Sequence, residues 1–256
     1  MNVVVCVKQI PDPAVPGELD SDHTLKREGK LILDESDSYG VEMALQLVDK
    51  AGGGEVTLIS MAPNGEVSGL RTALAMGAAQ AILASDEALS GADALTTSKV
   101  LAKCVERAGE VDLVLTATES TDGYTGTIPA QMAELLGWPS LTFAKQVDID
   151  AGTATIQRQT EAGYDVVAAN LPAVVSVTAG VVEPRYPSFK GIMAAKSKPV
   201  DQVTAADLGL DAAAIAANQT IVTVAAAPAR EAGEKIEDDG TAFEKVVEFL
   251  DGLKVI

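Results

Sequence analysis

The decapeptide TESTDGYTGT at residues 118–127 has the side chains of an anion cradle. Ser120, Thr121, Tyr124, Thr125 and Thr127 bring hydroxyls, and Asp122 stands among them. Gly123 and Gly126 let the backbone turn tightly and approach a ligand closely. Residues 111–117 before it are β-branched and leucine-rich and suit a central parallel strand, while a helix is expected from Thr127 or Ile128. A helix start presents unpaired N–H groups and the positive end of its dipole, and in open α/β sheets ligands gather at the carboxyl ends of strands. The spacing therefore suits a phosphate. Ordinary strand-to-helix loops use the same residues for turning and capping, so the loop chemistry alone leaves both readings open. No GxxxxGK[ST] occurs. The run Gly52-Gly53-Gly54 precedes a strand, where a dinucleotide fingerprint would follow one, and reads as a helix stop.

Other chemistry is sparse. Cys6 and Cys104 lack a His or second Cys at a metal-ligand spacing and read as buried thiols in a reducing compartment. His23, the one histidine, sits in a proline-bearing loop and reads as solvated. With 37 acidic against 19 basic residues the net charge is -18, which repels nucleic acid and anionic lipid, so a phosphate site has to be local. The opening MNVVVCVKQ has no basic segment leading into a cleavable apolar run, and no segment approaches a membrane span, which predicts a cytoplasmic protein.

These residues need a scaffold, and 256 residues, 47% hydrophobic and 4% aromatic, suffice for one large aliphatic domain with an appendage. Strands are expected at residues 2–8, 55–60, 79–84 and 111–117. Helices are expected at 39–51, from a cap at Asn64 to Gly77, from Asp93 to Gly109, and after the hydroxyl loop. Asp34, Ser36 or Asp37 is the expected cap of the first helix. The β-α alternation predicts a doubly wound α/β fold, a mostly parallel sheet with helices on both faces. The long connection over residues 9–38 contains a stretch, 24–34, that reads as a small hairpin turning at Glu28-Gly29. Beyond Pro139, residues 153–159 and 164–171 alternate with period two around Glu161-Ala162-Gly163, an antiparallel hairpin. A buried strand follows at 173–177 and a short apolar one at 220–224.

Residues 181–200, VVEPRYPSFKGIMAAKSKPV, are poor core and poor helix at their start. Tyr186 and Phe189 beside Arg185 and Lys190 have the composition of an interface anchor, and a solvated loop leading into a short helix at 192–195 is the alternative. Near the C-terminus, an amphipathic helix over 241–253 places Phe243, Val246, Val247 and Leu250 on one face.

LPAVVSVTAGVVEPRYPSFKGIMAAKSKP at residues 171–199 closely resembles the signature region of electron transfer flavoprotein beta subunits. VVVCVKQIPD at 3–12, RTALAMGA at 71–78, ESTDGYTG at 119–126 and AELLGWP at 133–139 agree in order and distance, so the resemblance covers essentially the whole chain. It implies a three-layer sheet like that of adenine-nucleotide hydrolases, over residues 1–224. A C-terminal arm, 225–256, would pack on a partner alpha subunit that holds FAD. It also implies AMP bound structurally in this subunit, the hydroxyl loop taking its phosphate. By position the contacts come from Cys6, Asp34, Glu35, Ser36, Asp37, Met61, Ser120, Thr121, Asp122, Gly123, Tyr124, Thr125, Gly126 and Thr127, mostly through backbone atoms. For Cys6 and Met61, packing at strand ends is the reading without the resemblance.

The resemblance further implies that Glu183, Pro184, Arg185, Tyr186, Pro187, Ser188, Phe189, Lys190, Ile192 and Met193 dock flavin dehydrogenases such as acyl-CoA dehydrogenases, with Phe189 at the anchor position. Electrons of fatty acid β-oxidation would then reach a quinone-reducing oxidoreductase and the respiratory chain. Arg158 and Glu161 would face the alpha subunit's flavin domain, a solvent-facing hairpin being the alternative. The subunit would be an electron-carrier component without catalytic residues of its own. Within the family, a flavin-bifurcating form with a second FAD in place of AMP, oxidising NADH, is the alternative. A hydrolase of the adenine-nucleotide type is a different class, but Lys8-Gln9-Ile10-Pro11-Asp12 stands where those enzymes carry SGGxDS.

Overall fold

The computed structural model describes residues 1–225, 227–229 and 232–256. They fall into two compact units, Met1–Ile221 and Val222–Ile256. Of the arm expected at 225–256, Ala226, Arg230 and Glu231 lie outside the described residues.

The first unit is built on β1 (Asn2–Cys6), whose near-continuous apolar run is buried on both faces. Its neighbours are β4 (Glu55–Met61) and β6 (Leu113–Ala117), both parallel, with Val4 opposite Thr57 on one side and Val114 on the other. β5 (Gln80–Ala84) extends the sheet beyond β4, and β10 (Ala173–Val177) extends it beyond β6. The main chain thus runs outward from β1 to β4 and β5, then returns to the other side of β1 for β6. This reversal opens a crevice at the carboxyl ends of β1 and β6.

Alternation along each strand sorts the core into two layers. Val3 and Val5 pack with α1 (Glu35–Lys50) and α2 (Ser68–Met76). Val4 and Cys6 pack with α3 (Ala94–Arg107) and α4 (Ile128–Leu136). The fold is therefore the expected α/β class, a mostly parallel sheet with helices on both faces. Three antiparallel-paired strands, β7 (Ser140–Asp150), β8 (Thr153–Thr160) and β9 (Gly163–Asn170), carry the sheet outward past the helices, and β11 (Val200–Val203) closes the opposite edge on β5.

Several boundaries differ from the sequence reading. Residues 24–34 do not pair with themselves: β3 (Leu31–Leu33) pairs with β2 (Gln9–Pro11), so the hairpin is longer and encloses the whole proline-bearing loop. α1 starts at Glu35, four residues before Tyr39, because Asp34 caps it by accepting from the N–H of Ser36. Asn64 caps a turn rather than α2, which begins at Ser68 after Glu66 takes the N–H groups of Val67 and Ser68. The short helix near 192 begins earlier, as α5 (Phe189–Ala195). Residues 220–224 form no strand, lacking a sheet partner.

In the second unit α6 (Ala242–Gly252) is amphipathic and none of its residues is buried, with Phe243, Val246 and Val247 about half exposed or more. Among the described residues no helix is long and apolar enough to cross a membrane.

α2 lies so close to β3 that a side chain on Gly69 has no room: an added Cβ meets the Leu33 nitrogen at 2.7 Å and the Ile32 carbonyl carbon at 2.8 Å. Backbone cannot yield as a flexible side chain can. Gly69→Ala is expected to destabilise the chain by about 1–3 kcal/mol. Gly233→Ala, with nothing within 4 Å among the described residues, should stay within about 0.5 kcal/mol of wild type. Urea unfolding midpoints separate the two, and equal shifts would contradict the close approach.

Candidate functional site

A cavity of about 790 Å³ opens at the carboxyl ends of β1, β4 and β6, a size within the range of about 300–1,000 Å³ typical of small-molecule sites. Cys6, Asp37, Met61, Ser120, Gly123, Thr125 and Gly126 line it. Asp34, Glu35, Ser36, Thr121, Asp122, Tyr124 and Thr127 do not; of these, Asp34, Thr121 and Asp122 hold the hydroxyl loop in place by hydrogen bonds, while Tyr124 and Thr127 are exposed. Asp34 is fully buried, and its Oδ2 accepts from the Thr121 N–H at 2.7 Å and the Thr121 hydroxyl at 3.0 Å. Asp37 accepts from the Lys8 N–H at 2.5 Å. Burial drives its carboxyl well above the ordinary carboxylate range. Glu35 points elsewhere, lining a crevice of about 270 Å³ with Tyr39, Met76 and residues 183–187.

The hydroxyl loop itself is irregular by necessity. Tyr124 takes a positive φ of 48° and Gly126 one of 69°, and the Tyr124 N–H closes a turn on the Ser120 carbonyl at 2.9 Å. Among the described residues the backbone N–H groups of Thr125, Gly126 and Thr127 donate to nothing, and α4 has no side-chain cap at Thr127. A helix start left in this way is ready to hold an anion. Burying such donors without a partner would be costly.

Two cations accompany them, and the sequence reading missed both. Lys8 Nζ donates to Asp122 Oδ1 at 2.6 Å and to the Ser120 hydroxyl at 3.2 Å, while Arg27 pairs with the other Asp122 oxygen and donates to the Gln9 carbonyl. The Asp122 side chain is only 7% exposed. Its burial pushes the carboxyl up, but the adjoining Lys8 and Arg27 outweigh that and hold it below the ordinary range. Lys8 could have been found as the residue just past β1 at the sheet's reversal. Arg27 left no signal, since its partner is 95 residues away. Gln9 was also missed: its side-chain carbonyl accepts from the N–H groups of Gly69 and Leu70, capping α2.

The remaining groups are quieter. Cys6 is buried, with its thiol pushed well up by burial and its sulfur 3.8 Å from that of Met132, so it forms wall and not a nucleophile. Cys104 is pushed up to about 12, again chiefly by burial. His23, expected to be solvated, is half-buried, sits at a positive φ of 69° and lines the cavity.

On the opposite side of α1 and α2, residues 183–193 form a second feature. Arg185 grips the nearly buried Glu42 of α1 through Nε at 2.6 Å and Nη2 at 3.0 Å. Burial pushes the Glu42 carboxyl up, and the Arg185 hydrogen bonds more than reverse this, leaving it below the ordinary range. Glu183 and Lys190 are exposed, Pro184 and Pro187 half-buried, and Ser188 caps α5 by accepting from the Gly191 N–H at 3.0 Å. With the segment so fixed, Tyr186 is 94% and Phe189 81% exposed, and Ile192 and Met193 lie open on the same short helix. On the hairpin, Arg158 donates to the Thr142 carbonyl and Glu161 is exposed.

The family model for the electron transfer flavoprotein domain matches residues 22–208. The electron transfer flavoprotein subunit beta of Mycobacterium tuberculosis (strain H37Rv) is 39% identical, aligned over 100% of this chain and 99% of its own. That of Megasphaera elsdenii is 33% identical over 100% of both chains. The chain belongs to the electron transfer flavoprotein beta-subunit family. A third relative, 35% identical over 96% of this chain and 95% of its own, is subunit CarD of the caffeyl-CoA reductase–Etf complex of Acetobacterium woodii. Membership makes the chain a component of an electron-transferring flavoprotein whose partner is an alpha subunit.

Two of the buried carboxyls by the cavity, Asp122 and Asp37, have opposite acid responses. The folded value of Asp122 is lowered, so its stabilisation is complete above the ordinary value of about 3.9 and is lost as pH falls through the lower folded value. Asp37 is raised, so it costs stability as pH climbs from that ordinary value through the raised one. Asp122→Asn should lower stability at neutral pH by about 1–3 kcal/mol and flatten the acid limb of the stability profile. Asp37→Asn should flatten the limb above it. Unfolding midpoints across pH check both, and parallel profiles for all three proteins would contradict the assignment.

Proposed function

We propose that this chain binds AMP in the cavity at the carboxyl ends of β1, β4 and β6, as the structural nucleotide of a heterodimer whose alpha subunit holds FAD. The observation that carries the reading is the uncapped start of α4, where the N–H groups of Thr125 and Gly126, free among the described residues, belong to residues that line a nucleotide-sized cavity together with Lys8. These groups fit a phosphate: two unpaired backbone donors, a helix dipole and an ammonium with one proton unused among the described residues. Met61, Ala62 and Leu101 offer apolar wall for a base. A protein of net charge -18 makes such a cluster of donors the local exception to its own field.

FAD, when bound, supplies the electron-transfer chemistry, and this chain supports the flavin domain and positions it near its redox partners. Residues 183–193 dock flavin dehydrogenases such as acyl-CoA dehydrogenases, whose electrons pass through a quinone-reducing oxidoreductase to the respiratory chain. The open Phe189 and Tyr186, on a segment held by Arg185 and Glu42, support this: a transient contact needs one rigid apolar foothold and a polar rim. α6 with its uncovered stripe serves as an arm on the alpha subunit.

The cavity's size supports a second reading, in which a second FAD replaces AMP and accepts hydride from NADH in a bifurcating complex. The volume is generous for a mononucleotide, and the relative named for a caffeyl-CoA reductase–Etf complex supports the same reading.

Co-expression with the alpha subunit, purification, denaturation and chromatography of the released nucleotides distinguish the two. One FAD and one AMP per heterodimer are expected; two FAD and no AMP would establish the second reading. For docking, Phe189→Ala should leave nucleotide content unchanged and slow reduction by a partner dehydrogenase at limiting carrier by roughly thirtyfold, about 2 kcal/mol of lost anchor. An unchanged rate would remove Phe189 from the interface.

A further inference from the structure

Residues 12–30 project from the hairpin of β2 and β3 and return to it, and their hydrogen bonds are nearly all internal. Asp20 N–H donates to the Thr24 carbonyl and Lys26 N–H to that of Glu18, both at 2.9 Å, and Leu19 bridges to Leu25. Lys26 pairs within the same stretch, with Glu18 and Glu28. Among the described residues, every hydrogen bond from this stretch to the rest of the unit comes from one side chain. Arg27 donates to the Gln9 carbonyl at its root and pairs with Asp122 on the hydroxyl loop. Residues 12–22 are exposed, whereas Thr24, Leu25, Arg27 and Gly29 lie on the wall of the cavity.

We propose that residues 12–30 are a strap over the nucleotide cavity, hinged at the β2–β3 hairpin and latched by the Arg27–Asp122 ion pair. The strap opens to admit or release the nucleotide. It forms part of the cavity wall, so a ligand filling the cavity touches it. Segments with few bonds to the body of a fold open at low free energy, and here a single charge-assisted contact sets that cost. The latch sits where the anion site is: Asp122 neighbours Gly123 and holds Lys8, so an open strap leaves Lys8 as the one cationic partner of Asp122 among the described residues. The inference rests on nucleotide binding in this cavity.

The test uses the heterodimer with its alpha subunit, comparing wild type with Arg27→Gln and Arg27→Lys. Release of bound AMP is followed after dilution into excess labelled AMP, and amide hydrogen exchange is read on peptides covering 12–30 and 118–127. Wild type must first yield AMP on denaturation. If it yields none, the AMP reading fails, and the strap is judged by amide exchange and by release of whichever nucleotide the complex holds. With a latch, Arg27→Gln releases nucleotide about tenfold faster and strap amides exchange faster, while Arg27→Lys lies between. Faster release with an unchanged strap makes Arg27 a simple ligand contact and overturns the latch. A loosened strap with unchanged release overturns the gate, and no change in either overturns both.

Discussion

Two buried carboxylates tie the site together. Asp34 accepts from the N–H and hydroxyl of Thr121 and from the N–H of Ser36, and Asp37 accepts from the N–H of Lys8. The end of β1, the start of α1 and the loop after β6 are separate in the chain, and these bonds fix them to one another. A carboxylate out of water is costly unless it is well supplied with donors. Each bond to such a group restores about 1.5–3 kcal/mol. The cost is sustained at the reversal of the sheet, where a crevice is unavoidable and where its walls have to hold a shape. Among the described residues the fold buries carboxyl groups here and, under Arg185, at Glu42.

From this region one helix runs toward the exposed segment at residues 183–193. Gln9 caps the start of α2, and at its far end Lys198 donates to the carbonyls of Leu74 and Ala78 at 2.9 and 2.6 Å. The exchange is mutual: Arg71 on α2 donates to the carbonyls of Ala195 and Lys198, closing the end of α5. Both helices thus have the unpaired groups of their ends satisfied by side chains of opposite polarity, as their dipoles favour. α5 also packs its Gly191 directly on the Ala75 carbonyl, where any side chain would intrude. The exposed Phe189 is therefore mounted on a rigid base, and its exposure is a property of the packing beneath it.

The doubly wound sheet was legible because its strands are short, apolar and spaced by amphipathic helices, a pattern that few other folds generate. What escaped had specific causes. β7 ends in KQVDID, whose polar residues hide a strand that lies partly beyond the helical layers and needs only one buried face. β11, VDQV, is a polar edge. Conversely, the apolar residues near 220–224 resembled a strand but find no neighbouring edge, and a strand exists only through its pairing. The hydroxyl loop stood out by composition, but Lys8 and Arg27 did not, because an ion pair between residues about a hundred apart leaves no local trace. Glu35 and Asp37 are two apart on one helix, yet face different crevices, which a positional resemblance cannot resolve.

The apolar groups left in the open follow a pattern of their own. In a chain so acidic, exposed hydrophobic residues could scatter without consequence, but many gather on three elements: Tyr186, Phe189, Ile192 and Met193 around α5, Tyr164 and Val166 on β9, and Phe243, Val246 and Val247 on α6. On β9 the alternation is clear, since Val167 packs on the core while Tyr164 and Val166 face out, the former under the ammonium of Lys145 at 4.1 Å. Each surface belongs to an element added to the sheet-and-helix body: a loop helix, an edge hairpin, a terminal helix. The body supplies a cavity and a frame, and the additions carry the exposed apolar groups. That division suits a family whose members carry electrons between other proteins, because the chemistry can stay with a bound flavin while the polypeptide determines what comes near it.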